Sequence, residues 1–158
     1  MTEQELSICL REMARDQKEP LCMEWYTKWE DDTSIDHLLD KYVNGFDFAV
    51  ANDYPKIDFI RKNFKREDLH RHNIYIDEEV NLVESHSGIW IFLGKCTGRI
   101  TFGSWAVANV HVRHESNIRV DAEDMARVFV SVYEKGESTT KEAFGAVIRK
   151  YDRTRKEG

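Results

Sequence analysis

Two histidines, His111 and His114, and the acidic residue Asp121 lie within eleven positions of one another. Imidazole nitrogens and carboxylate oxygens are common zinc ligands, and a His–Asp pair is also able to move a proton. A metal site needs three or four ligands held in one place. We therefore treat these three residues as candidates for metal binding or acid–base chemistry, and a solvated surface is the alternative.

A second candidate site is a polar stripe of residues that recur at ten-residue intervals, Arg99, Asn109 and Arg119. Guanidinium groups in such a row are able to grip phosphate or carboxylate groups, unless the row is an ordinary solvated face. His70 and His72 are further candidate ligands, with helix capping or solvent contact as the alternative.

The cysteines do not suggest a metal or disulfide framework. Cys9, Cys22 and Cys96 are widely spaced and form no CxxC pair, which indicates reduced thiols. Cys96 is the best candidate nucleophile, against the alternative of a buried thiol that packs like alanine. Motifs of dinucleotide-binding, P-loop, zinc-protease and serine-hydrolase sites do not occur. We expect no catalytic residue, no bound metal and no cofactor.

A ten-residue repeat in the second half would position these residues. From His86 onward, four alternate positions are apolar or small, three residues are skipped, and the pattern begins again. It predicts seven-residue strands with alternate side chains inward, separated by three-residue corners. The first inward position of each block is small: Cys96, Ala106, Ser116, Ala126, Gly136 and Ala146.

Two folds satisfy this repeat, a β-solenoid with stacked rungs and an antiparallel β-meander. A column of like residues favours the solenoid: Ile100, Val110, Val120 and Val130. The corners also lack the Asn-Gly and Asp-Gly turns of tight hairpins. In the solenoid register His111 points outward with Asp121 beside it on the next rung, and His114 lies at a corner. The last rung carries polar residues inward, so we expect its end to be either frayed or an oligomer contact.

The first half is predicted to be helical. A capping box at Thr2 and Glu5 predicts a helix over residues 3–16. A second helix begins at Pro20, a third runs from a cap at Thr33 or Ser34 to Gly45, and a fourth begins at Pro55. The second helix places three side chains on one face: Cys22, Trp25 and Trp29. The predicted fold class is α+β, with a helical head over 1–72 that caps a short β-solenoid over 73–152 and a basic tail over 153–158. The antiparallel meander is the alternative.

Charge is uneven along the chain, whose net charge is −6. Residues 1–50 carry 12 acids and 5 bases, and this excess of negative charge disfavours a helical DNA-binding motif in that part of the chain. The run 61–72 and the tail are basic and keep nucleic-acid binding as an alternative. No stretch resembles a signal peptide or membrane helix, so we expect a cytoplasmic protein without a membrane partner.

The order of four segments resembles a set of uncharacterised β-repeat proteins of gut Bacteroidetes and their mobile elements. The resemblance spans roughly residues 20–152, and its segments are "PLCMEW", "DKYVNGFDFAVANDYPKIDFIRKNF", "NIYIDEEV" and "GKCTGRITFGSWAVANVHVRHESNIRVDA". It implies a β-repeat protein encoded by a phage or conjugative element, and it offers no catalytic residues to carry over. The leading interpretation is a non-enzymatic structural or interaction protein with a protein partner or self-association. A nucleic-acid-associated protein is the alternative, and an enzyme is less favoured.

Overall fold

The computed structural model describes residues 2–17 and 34–153, and the chain divides into two compact units, Met1–His72 and Asn73–Gly158. The first unit is helical. Its described helices are α1 (Glu3–Arg15), α2 (Ile35–Asn44), α3 (Phe46–Asn52), α4 (Ile57–Asn63) and α5 (Arg66–Arg71).

The starts of α1 and α2 follow from side-chain caps. The Thr2 hydroxyl accepts a hydrogen bond from the Glu5 N–H at 3.1 Å, and the Ser34 hydroxyl accepts one from the His37 N–H at 3.1 Å. Each bond satisfies one of the backbone donors that a helix start leaves open. Gly45 ends α2. Both predicted helices are therefore confirmed.

Shorter helices were harder to predict. The helix expected at Pro55 begins at Ile57. α3 was not predicted because it directly follows Gly45, and a glycine at that position is typical of the end of a helix. The six residues of α5 bury only Leu69, too little for an apolar periodicity to be visible. The helix expected at Pro20 lies outside the described residues.

The core of the helical unit is closed by a buried tyrosine. Leu6, Leu10 and Leu38 are almost fully buried, and the Tyr54 hydroxyl donates to the Leu10 carbonyl oxygen at 2.7 Å. Burial raises the pKa of Tyr54 above its ordinary value, since the phenolate would lose its hydration. Tyr54 therefore acts here as a neutral donor that joins α1 to the chain before α4.

The second unit is a β-solenoid of parallel strands. The odd-numbered strands form one sheet in the order β1-β3-β5-β7-β9, and the even-numbered strands form the other, β2-β4-β6-β8. The strands are β1 (Ile74–Ile76), β2 (Glu79–Glu84), β3 (Gly88–Leu93), β4 (Thr97–Phe102), β5 (Val107–Val112), β6 (Asn117–Ala122), β7 (Arg127–Tyr133), β8 (Glu137–Glu142) and β9 (Val147–Arg153). The pairing is parallel throughout, which confirms the solenoid and excludes the meander.

One coil of the solenoid is two repeats long. Ile100 pairs with Val120 in the even sheet, whereas Val110 pairs with Val130 in the odd sheet. The predicted single column at ten-residue spacing is therefore wrong. Each corner sends the chain to the opposite sheet, so from β3 onward neighbours within a sheet are twenty residues apart. The ten-residue period measures the distance between corners and not the length of a coil.

The corners are of two kinds. Those from odd to even strands contain one residue in the left-handed region: Asp77, Gly94, His114 or Glu134. From β4 onward, those from even to odd strands contain two in succession, Ser104–Trp105, Asp124–Met125 or Phe144–Gly145, whereas the corner between β2 and β3 contains none. The next inward residue is small because it lies against backbone. A Cβ added at Gly136 would lie 2.5 Å from the Val112 carbonyl oxygen.

The core between the sheets is apolar, apart from Ser116, until the last coil. There Ala146 and Ile148 are apolar but most other inward positions are polar, and two of these cover backbone groups. The Lys150 ammonium donates to the Ser138 carbonyl oxygen at 2.5 Å, and the Glu142 carboxylate accepts from the Ile148 N–H at 2.9 Å. Inward charges on edge strands oppose pairing with another chain. At this end β8 and β9 pair in register with β6 and β7 as regular strands.

Candidate functional site

The two histidines of the first candidate site have separate partners. His111 Nδ1 lies 3.1 Å from the Tyr133 hydroxyl, on the outer side of the odd sheet. His114 lies at a corner, where its Nδ1 accepts a hydrogen bond from the Gly94 N–H at 3.0 Å. An accepting Nδ1 places the proton of the neutral ring on Nε2. Each ring is thus held in a different local contact.

A buried ion pair connects this corner to the next coil. The Arg113 side chain is 3 % exposed, and its Nε donates to Glu134 Oε1 at 2.6 Å. The other oxygen, Glu134 Oε2, lies 3.7 Å from His114 Nε2. A buried guanidinium requires such a partner, so the pair secures two successive corners. This ion pair was not predicted from the sequence. Residues that are twenty-one positions apart lie close together only when one coil contains twenty residues, and that coil length was not predicted.

Asp121 is not beside His111. It lies in the even sheet, where it pairs in register with Thr101 and Lys141, whereas His111 pairs with Ser131 in the odd sheet. The expected His111–Asp121 surface pair is therefore wrong, because successive rungs belong to opposite sheets. His111, His114 and Asp121 do not share a ligand position.

The predicted arginine stripe is also divided between the sheets. Arg99 and Arg119 are register neighbours in the even sheet, but Asn109 lies in the odd sheet beside Phe129. The Nε atoms of both arginines contact Asp121, at 2.9 Å for Arg99 and 3.0 Å for Arg119. One carboxylate thus bridges two guanidinium groups and cancels one of their two charges. The stripe of three residues is wrong as a site.

Cys96 is a structural residue. Its thiol is fully buried and donates to the carbonyl oxygens of Tyr75 and Leu93, both at 3.3 Å. Burial raises the pKa of this thiol, since the thiolate would lose its hydration. A protonated, inaccessible thiol is not a nucleophile, so the side chain serves as one of the small residues after a corner.

His72 lies between two carboxylates of α2. Its Nε2 is 2.9 Å from Asp36 Oδ1, and its Nδ1 is 3.0 Å from Asp40 Oδ1. Arg71 also contacts Asp36, at 3.0 Å. The two carboxylates face different ring nitrogens, so they clamp the imidazole and do not converge on a common point. The candidate ligand His72 therefore joins the end of α5 to α2.

We expect the helical unit to lose stability in acid through Asp36. Hydrogen bonds from His72 and then Arg71 hold the pKa of Asp36 below its usual 3.8. A depressed pKa stabilises the fold above pH 3.8 and the effect is lost as the pH falls through the folded-state value. Urea unfolding of Asp36→Asn against the wild type should therefore show a gap that closes in acid. Asp58→Asn, which loses one exposed pair with Arg61, is the control. A gap that does not depend on pH would contradict the expectation.

An exposed apolar ridge follows the corners from even to odd strands. It comprises Trp105, Met125 and Phe144 at the corners and Val107 and Val147 just after them. Trp105 is 69 % exposed and Phe144 is 76 % exposed. The corners are hydrogen-bonded to one another, from Trp105 N–H to the Asp124 carbonyl oxygen at 3.0 Å and from Met125 N–H to the Phe144 carbonyl oxygen at 3.1 Å. This corner ridge was not identified from the sequence, because the corner residues were assigned only to turns between strands.

A second surface is the outer side of the last odd strands. Alternation along β7 and β9 directs eight side chains outward, and none of them is acidic. Two of them, Arg127 and Val147, lie next to the corners, and we call the other six the basic face: Phe129, Ser131, Tyr133, Arg149, Tyr151 and Arg153. The corresponding positions of β6 and β8 hold two acids, Asp121 and Glu137, and two bases, Arg119 and Lys141. The two sides of the solenoid therefore differ in charge, in a chain that is acidic overall.

Comparisons of the chain with protein-family models, with curated proteins and with solved structures found no match. Within residues 2–17 and 34–153, no group of three or more His, Cys, Asp or Glu side chains is placed to hold a metal ion. The same part of the chain contains no helix long and apolar enough to cross a membrane. The corner ridge and the basic face are candidate binding surfaces because of the side chains that they expose.

Proposed function

We propose that this protein is a non-enzymatic interaction protein whose solenoid docks a second copy of itself through the corner ridge. The observation that supports the proposal is the line of exposed apolar side chains at three successive corners of one kind, Trp105, Met125 and Phe144. Contiguous exposed apolar surface of this kind is typical of interaction sites in proteins. A hydrogen-bonded corner holds each side chain in place, so little order has to be gained on association.

Charges beside the ridge favour a second copy as the partner. In the middle coil, Glu123 precedes Met125 on the even side of the corner, and Arg127 follows it on the odd side. A two-fold axis that lies in the interface and runs parallel to the ridge exchanges these sides. It would bring Glu123 of one copy towards Arg127 of the other, and each corner residue of the ridge towards the same residue of the other copy. Such self-complementarity is what a two-fold interface requires.

The end of the solenoid is a less suitable contact. A copy that paired with β8 or β9 would have to displace the contacts of Lys150 and Glu142 with edge backbone groups. It would also place these inward charges in a continued core, where unpaired charge is costly. The ridge needs no such displacement, which is why we assign the contact to it.

Light scattering coupled to size-exclusion chromatography tests the proposal. We expect the wild type to elute with the mass of a dimer and Trp105→Asn/Phe144→Asn with the mass of a monomer. Asparagine tolerates the left-handed backbone of these positions, φ 64° and 52°, so the double variant should fold. Val83→Asn removes an equally exposed apolar side chain from the even sheet and should leave the dimer intact. A monomeric wild type at high concentration, or a dimeric double variant, would overturn the proposal.

The ion pair provides a second, reciprocal test. Arg127→Glu alone should weaken the dimer, because it places like charges together. Glu123→Arg combined with Arg127→Glu should restore the dimer, because the exchange recreates the pairing across the two-fold axis. If the double exchange is as monomeric as the single variant, the proposed orientation of the two copies is wrong.

A further inference from the structure

The structure assigns a second binding surface to this protein: we infer that the basic face binds single-stranded nucleic acid. This inference does not depend on self-association, because the face and the corner ridge use different columns of residues. It differs from the basic segment 61–72 and the tail, to which the sequence alone pointed for nucleic acid.

The charge of the face is available to a ligand. Arg149, Tyr151 and Arg153 are exposed and alternate on the outer side of β9. Among the side chains that the structure describes, no carboxylate forms an ion pair with Arg149 or Arg153. By contrast, Asp121 bridges Arg99 and Arg119 on the even sheet. Unpaired guanidinium groups are locally complementary to a polyanion, and they have to act against the net charge of −6 of the chain.

Aromatic rings lie between these charges. Tyr151 is 42 % exposed, and the guanidinium carbon of Arg153 lies 5.6 Å from its ring centroid. Phe129 is half-buried and is the register neighbour of Arg149 on the adjacent strand. Rings on which bases stack, flanked by cations that contact phosphates, are the usual platform for single strands. A duplex keeps its bases stacked inside and would use only the charges, so the aromatic residues favour a single strand.

The exposed part of the face lies along β9. Ser131 and Tyr133, two of its members on β7, are only 7 % exposed, and the Tyr133 hydroxyl contacts His111 on β5. Along the same edge, Arg113 is held by Glu134, so its charge is already paired. The face therefore presents free cations only along β9, in one row parallel to the strand. A row of this kind matches a single extended phosphate backbone better than two.

Fluorescence anisotropy with fluorescein-labelled oligo(dT) at low salt tests the inference. We expect Arg149→Gln/Arg153→Gln to weaken binding and to reduce the slope of log K against log salt by about 1.4, from two phosphate contacts at about 0.7 each. Tyr151→Leu should weaken binding about tenfold, as expected for the loss of one stacked base. Lys95→Gln/Lys141→Gln is the matched control. Like the arginine pair it changes the net charge from −6 to −8, but outside the face, and it should bind as the wild type does.

Several outcomes would overturn the inference. They are the absence of binding to oligo(dT) at low salt, equal losses in the lysine and arginine pairs, and unchanged binding by Tyr151→Leu. Duplex DNA or polyphosphate that competes as well as oligo(dT) would identify a phosphate surface without base contacts and would also overturn it. Trp105→Asn/Phe144→Asn should retain oligo(dT) binding, so a failure of the self-association proposal is distinguishable from a failure of this one. Thermal unfolding of each variant identifies any loss that is due to misfolding.

Discussion

Gly98→Ala is expected to destabilise the solenoid by more than about 3 kcal/mol, because the substitution combines an unfavourable backbone conformation with a backbone clash. Gly98 has φ +126°, which side chains rarely adopt, and it pairs in register with Val80 of the preceding coil. A Cβ at Gly98 would lie 1.9 Å from the Val80 carbonyl oxygen and 2.8 Å from its nitrogen. No side-chain rotation relieves a clash between two backbones. β2 would have to separate from β4, with the loss of the first pairing in the even sheet.

Gly103→Ala is the matched control for this prediction. Gly103 lies at the other end of the same strand, and its nearest neighbours for a Cβ are side-chain atoms at 3.7 Å or more. The change should leave stability the same or raise it slightly, since alanine restricts the unfolded chain. Chemical denaturation followed by circular dichroism measures both variants. Equal effects of the two substitutions would contradict the expected clash at Gly98.

The sequence was sufficient to predict strands, inward positions and corners, because alternation and small residues are local signals. It was not sufficient to count corners per coil. That number depends on the backbone of the corners, in which His114 is a single left-handed residue and Ser104–Trp105 is a pair. Left-handed histidine, serine or tryptophan has no sequence signature comparable to glycine. In retrospect, Ala106 and Ala126 alternating with Cys96 and Ser116 carry the twenty-residue period.

The number of corners per coil, which the sequence did not reveal, accounts for the errors at the candidate sites. When rungs alternate between two sheets, residues ten apart are separated and residues twenty apart become neighbours. His111 and Asp121 therefore lie in opposite sheets, whereas Arg99 and Arg119 are register neighbours in the same sheet. Long-range partners such as Arg113 and Glu134 appear only once the coil length is known. In a solenoid, an error in the period thus changes every outward surface, while the inward pattern remains correct.

Short helices were missed for a different reason. α1 and α2 have side-chain caps and an apolar face several turns long, which are local signals. α5 has no side-chain cap and one buried residue, and its last residue Arg71 and the following His72 are held by Asp36 of a distant helix. Contacts across thirty-five or more positions decide such a segment, and a window of sequence does not contain them.

Phe102→Ala is expected to cost about 3–5 kcal/mol, the usual range for truncation of a fully buried aromatic side chain. Phe102 of β4 is fully buried, and its ring packs edge to face against Trp90 of β3, with the centroids 4.9 Å apart. This contact joins the two sheets across the core. Its register neighbour in the next coil is Ala122, which is too small to fill the space that the ring would leave. The cavity should therefore persist, and its cost adds to the lost burial.

Two comparisons identify the cause of this loss. Phe102→Leu keeps most of the volume and should cost less than the alanine variant. Val83→Ala removes an exposed side chain that is 79 % accessible in β2 and should change stability by less than about 0.5 kcal/mol. Denaturant unfolding of the three variants measures the differences, with an unchanged slope as evidence that the unfolded state is the same. If Phe102→Ala costs no more than Val83→Ala, the two sheets do not depend on this contact, and the packed interior between them is not what holds the solenoid closed.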